Sequence, residues 1–261
     1  MWMSWIVVAA AGIASMRAAM LRGDVDEAAR QGVLAGPAII EEALRAPDRA
    51  ARLAAIAAAP DATGRVELLD ALAAAAAGPD RRTAIPAARA ARAIARELAE
   101  RELPDDVASD DAIAWRDVWA TLAQRSDRWV ELRVLALDTA AALDRAAATP
   151  GTAPAGVGLS LEVALADRDP ALRRAAIANV PAPVPGPMRA VLASTLAKDT
   201  DPEVALAAAH ALCFDLVADP AGPILDAIGA AGMERLRSLL DGANAKKPGV
   251  RDAKRCLAAK R

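Results

Sequence analysis

One phrase occurs twice in this chain. Asp167-Arg168-Asp169-Pro170-Ala171-Leu172-Arg173-Arg174-Ala175-Ala176 returns 32 residues later as Asp199-Thr200-Asp201-Pro202-Glu203-Val204-Ala205-Leu206-Ala207-Ala208. Self-similarity at such a period marks an array of small units, each burying its apolar face against its neighbours. The phrase reads as helix-start chemistry. A carboxylate at Asp169 or Asp201 can accept the free N–H groups of a first turn. Pro170 and Pro202 suit the first helical position, where a missing N–H costs nothing. Leu172 or Val204, then Ala176 or Ala208 four residues on, share one helical face.

Weaker copies lie upstream. Leu132, Arg133 and Ala136 take the places of Leu172, Arg173 and Ala176, but Trp129 stands where the capping Asp belongs. Asp48 and Arg52 align with Asp169 and Arg173, and a looser copy runs from Ile85 to Arg92. A looser one still starts at Lys247-Pro248. The Arg anchors recur at roughly 40 residues, the length of a two-helix solenoid repeat. This pattern resembles the HEAT repeat (armadillo-like) family of α-solenoids over about residues 37–259, most closely over 127–216. The resemblance implies that the motif sits on the second helix of each pair. It also implies an Asp–Arg ladder between repeats, carried here by Asp169, Arg173 and Asp201 and interrupted at Ala205, where Arg is expected.

Composition fits an all-α array with no β-sheet. Ala exceeds a quarter of the 261 residues, and Ala is the best helix former. Tyr is absent, Phe occurs once, and no run of β-branched residues alternates with period two. The scarcity of Lys beside Arg suggests a GC-rich bacterial genome. The breaks predict about six pairs: 37–46 with 48–59, 65–77 with 84–102, 111–125 with 128–147, 158–166 with 170–180, 187–198 with 202–217, and 233–241 with 249–259. A further helix is expected at 24–34. Turn chemistry falls at Asp61–Gly64, Gly78–Asp80 and Pro104–Asp106, and prolines stiffen 181–187. The longest run of breakers, Thr149–Gly156, either divides the array near 149–157 or links two repeats.

The N-terminus is a second marked region. Trp5 to Ala14 is uncharged and apolar, and charge first appears at Arg17. The run is short for a spanning helix. It resembles the apolar part of a signal peptide with Gly12-Ile13-Ala14 as a cleavage site, although no basic residue precedes it. Residues 1–15 are therefore a candidate leader, and 16–261 the solenoid. Export to the periplasm or cell envelope is the expectation. A packed first helix, in a cytoplasmic protein, and a membrane anchor remain as alternatives.

Few residues invite chemistry. His210 is the single histidine and varies between repeats, its counterparts being Ala57, Asp138 and Ala178, so it is expected half-exposed. No second His or Cys stands near it at ligand spacing, and no metal or other cofactor is expected. Cys213 and Cys256 are 43 residues apart. An oxidising compartment would allow them to pair, but spacing alone does not show that the side chains meet, and isolated apolar thiols are the commoner case in a packed array. Trp115, Trp119 and Trp129 cluster with Arg116, Asp117, Arg128 and Arg133, as core, as a partner-docking anchor, or as a base-stacking surface. A net charge of −2 and no basic run argue against nucleic acid. The carboxylate pairs Asp105-Asp106 and Asp110-Asp111 suit helix capping.

The expected function is a non-enzymatic scaffold that docks a protein or peptide on its concave face. Trp115, Trp119, Trp129, Arg133 and His210 are the candidate contacts, and Asp169, Pro170, Arg173, Asp201 and Pro202 the repeat framework. The family resemblance also admits an enzyme or enzyme helper, of the bilin-lyase or alkyl-base glycosylase type. An exposed Trp119 beside Asp117 in a basic groove is the mark of the glycosylase.

Overall fold

A computed structural model describes residues 2–101, 103, 107–148, 157–214, 223–241 and 248–259. The side chains of 2–9, 157–159 and 248 fall outside that description. Among the described residues there is no strand. The chain divides into two compact units, Met1–Pro150 and Gly151–Arg261. The expected breaks at Pro104–Asp106 and Thr149–Gly156, and Lys247, lie outside the described residues.

The first unit holds α1 (Trp2–Leu21), α2 (Val25–Ala35), α3 (Pro37–Arg45), α4 (Arg49–Ala58), α5 (Leu69–Ala77), α6 (Arg81–Glu100), α7 (Ser109–Gln124) and α8 (Val130–Ala147). Short 3-10 turns fill Ala59–Asp61 and Arg65–Leu68. Consecutive helices pair, and the even helices then pack in order, α2 on α4, α4 on α6, α6 on α8. The odd helices form the matching layer, α1 on α3, α3 on α5, α5 on α7. The second unit repeats the scheme with α9 (Val157–Leu165), α10 (Pro170–Ala178), α11 (Gly186–Lys198), α12 (Pro202–Phe214), α13 (Pro223–Asp241) and α14 (Pro248–Ala259). There α10, α12 and α14 form one layer and α9, α11 and α13 the other. Two layers of nearest-neighbour helices are the solenoid arrangement.

Small residues set the spacing between layers. Ala54, Ala55, Ala58, Ala87, Ala88 and Ala91 are all buried, between larger Ile40, Leu69, Leu72 and Ile94. Gly32 is an extreme case. A Cβ there would sit 2.4 Å from the Ala58 Cβ and 2.8 Å from the Met16 sulfur, so α2 lies on α4 and α1 only because the side chain is absent.

Three boundaries differ from expectation. Helix α6 begins at Arg81, not 84, because Asp80 accepts from Arg82 N and from the Thr83 hydroxyl. Pro86 thus falls inside the helix, beyond the first turn. Helix α13 begins ten residues before the expected 233, at Pro223. Gly229 kinks it at φ 61°, a conformation open to glycine, and the chain is helical on both sides. Finally, α1 with α2 adds a pair to the expected six. Helix α1 runs unbroken through Gly12–Ala14, buries Met16 and Ala19, and pairs Arg17 with Asp48 at 3.0 Å. No described helix is long and apolar enough to cross a membrane.

Candidate functional site

The repeated phrase folds the same way twice. The Asp167 carboxylate accepts from Asp169 N at 2.9 Å, and Asp199 accepts from Asp201 N at 2.8 Å. Each closes a side-chain turn that delivers the second aspartate to the cap. Asp169 then accepts from Ala171 N, and Asp201 from Glu203 N and Val204 N. Pro170 and Pro202 occupy the first helical positions.

The arginines do something the resemblance did not imply. Arg173 donates through Nη1 to the carbonyls of Asp167 and Arg168, just beyond the end of α9. Arg52 donates to the carbonyls of Ala46 and Pro47, just beyond α3. Arg133 donates to Ala123 O at 2.9 Å, in the last turn of α7. Three repeats thus use the second-helix Arg to satisfy carbonyls left free where the first helix stops. At Ala205 the Arg is missing. The corresponding carbonyl, Asp199 O, lies 3.4 Å from Arg235 Nη2, so α13 supplies the cation instead.

The ladder acid also needs correcting. Asp169 and Asp201 are occupied as caps. Arg173 instead grips Asp199, Nε to Oδ2 and Nη2 to Oδ1, both at 2.8 Å. Burial pushes the Asp199 carboxyl up, but Arg173 and the Asp201 N–H pull it further down, and its pKa ends below the usual aspartate value. Asp199 therefore favours the folded state above about pH 4, and that contribution fades as pH falls through the lowered pKa. Asp199→Asn should cost about 2 kcal/mol at neutral pH and flatten the acid limb. Urea denaturation at pH 7 and pH 3 measures both; equal losses at the two pH values would refute the pairing.

The tryptophan cluster separates on folding. Trp119 on α7 is fully buried, and its indole Nε1 has no hydrogen-bond partner. Arg133 is 3% exposed and committed to a carbonyl. Neither is available as a docking anchor, because packing in the α7–α8 pair consumes both. Trp115 and Trp129 stay half-buried. Trp129 precedes α8 at the cap position and supplies no side-chain hydrogen bond there. Asp117 pairs with Arg116, which also reaches the buried Asp144. The buried Trp119 removes the stacking aromatic on which the glycosylase alternative rested. Asp111 accepts from Ala108 N inside the first turn of α7; Asp105 and Asp106 lie outside the described residues.

A different constellation forms in the second unit. His210 on α12 is 43% exposed at its side chain, and its Nδ1 lies 2.7 Å from Oδ2 of Asp252 on α14. Asp252 is fully buried and also holds Arg255 through Oδ1 at 2.9 Å. One turn beyond His210, Cys213 is bonded to Cys256, one turn beyond Asp252. Of the two alternatives left open for the cysteines, the bridge is the one observed. His210 also borders a cavity of about 330 Å³ between α10, the 180–184 linker and α12. Ile177, Val184 and Phe214 wall it, and Arg174 stands at its edge. Nothing in the sequence links His210 to Asp252, since a 42-residue separation carries no local signal. The first unit has a cavity of about 500 Å³ beside Pro47 and Gly78, but Arg52 at its wall is spent on backbone carbonyls. Among the described residues no cluster of His, Cys, Asp and Glu could hold a metal ion.

Two solved structures share this architecture. An engineered protein superposes with a TM-score of 0.52 at 19% identity, covering 95% of this chain and 68% of its own. The fold is a helical repeat. A structure from work on microtubule plus-end tracking by XMAP215, CLIP-170 and EB1 superposes with a TM-score of 0.50 at 14% identity, covering 85% of this chain and 90% of its own. At these identities the likeness is one of fold. No family model and no curated protein matches the sequence.

Proposed function

We propose that this helical-repeat protein is a non-enzymatic docking scaffold for a protein or peptide, bound on the layer of second helices. The observation that carries the reading is the division of labour in that layer. Its Asp, Pro and Arg positions are consumed in caps and carbonyl contacts, while one position changes from Ala57 to Asp138, Ala178 and His210, exposed at Ala178 and half-buried at the other three. A surface that varies over a constant frame is suited to recognition. In the second unit this layer also carries the cavity beside His210. No nucleic-acid, membrane or cofactor partner is invoked. The bridged cysteines support export to a bacterial periplasm or envelope.

Photo-crosslinking tests the docking face. A benzophenone amino acid at Ala178, exposed on α10, should capture one defined protein in the native cell. The same group at Ala190, exposed on α11, should not. Equal capture from both positions, or none from Ala178, would reject the second-helix layer as the docking face.

A further inference from the structure

The cavity beside His210 combines features that select one kind of ligand. Its walls are apolar, built from Ile177, Val184 and Phe214, and among the described residues no carboxylate lines it. Its one charged lining residue among those described, Arg174, is exposed and makes no ion pair there. The imidazole of His210 is held from behind. A buried carboxylate at Nδ1 fixes the ring and leaves Nε2, on the other side, for a ligand. Phe214, four residues along the same helix, is 51% exposed with its ring centroid 6.0 Å from that of His210. Exposed aromatic area next to an apolar cavity suits a ligand that continues past the site.

We propose that this cavity binds an acidic-apolar segment of a partner polypeptide, a Leu-sized side chain next to a Glu or Asp; the idea rests on the docking reading above. The apolar side chain fills the space between Ile177 and Val184. The carboxylate pairs with Arg174, close to the His210 ring. A volume of about 330 Å³ is at the lower end for ligand sites and suits a side chain or two.

The chain supplies its own reporters, because His210 is the single histidine and Phe214 the single phenylalanine. Their ring signals in an NMR spectrum of the full-length protein need no further assignment. The probe is the capped peptide Gly-Leu-Glu-Gly, with Gly-Leu-Lys-Gly and free hexanoate as comparisons. The Glu peptide should shift both rings saturably, the Lys peptide should move neither, and Arg174→Ala should weaken binding about threefold or more. Arg174→Ala removes no described polar contact, so unchanged circular dichroism is expected. Equal shifts from both peptides, no shift at millimolar peptide, or an unaltered Arg174→Ala titration would overturn the proposal. Hexanoate shifting the rings while the Glu peptide does not would overturn the polypeptide occupant in favour of a free acid. Peptide binding without a crosslinked partner at Ala178 would fault the docking reading and leave this site standing; the reverse result would fault the site alone.

Discussion

Replacing Cys213 and Cys256 together by Ser should lower the stability of the second unit by about 4 kcal/mol, on the chain-entropy model for a loop of this length. The bridge joins α12 to α14 with Cα atoms 5.6 Å apart across a separation of 43 residues. Cutting it frees that loop in the unfolded chain and leaves the folded contacts in place. Both sulfurs sit in buried positions, so each Ser also leaves a buried hydroxyl. Urea denaturation of the oxidised protein, the reduced protein and the double variant measures the effect. The reduced protein should fall near the variant. A difference under about 1 kcal/mol between oxidised and reduced forms would mean that the bridge contributes little.

Trp119→Ala should cost about 3–5 kcal/mol, the range for removing a large aromatic from a packed interior. The side chain is fully buried on α7, the helix that packs against α5 and α8. Its Nε1 has no acceptor, and a buried donor without a partner costs about 1–3 kcal/mol. Trp119→Phe removes that orphan donor along with some volume, so it should cost less than half as much as Trp119→Ala. Thermal melts of the two variants give the comparison. A Trp119→Ala variant as stable as the parent would return Trp119 to the surface and reopen its role as an anchor.

Local chemistry made much of the fold legible. Asp-x-Asp-Pro writes its side-chain turn, cap and first helical residue into consecutive positions, and both copies fold as read. Helix α13 reads short because Gly229 and Gly232 are poor helix formers, yet buried Ile224, Ile228, Met233 and Leu236 hold the chain helical on both sides of the kink. The arginines show a second limit. Their spacing marked the repeat, but their carbonyl partners carry no side-chain signature, so the contact inside each pair could not be read. Asp199 was passed over as the ladder acid because its neighbour Asp201 has the same chemistry and the stronger cap signal. For the candidate site, the half-exposure of His210 followed from its variation between repeats. Asp252 and Arg174 did not, since they come from α14 and α10 and reach α12 only after the helices stack, whereas Phe214 is one turn from His210 on the same helix.

The disulfide also has a mechanical meaning. Arrays of this kind hold together through adjacent pairs, so under tension or heat they come apart from their ends, one pair at a time. The bond between α12 and α14 makes the last two pairs a single link. With the bond intact, α14 stays tethered to α12 even when its packing is lost. Fraying is thereby suppressed where the cavity stands, and a pull on the C-terminus is borne by a covalent strut rather than by side-chain packing.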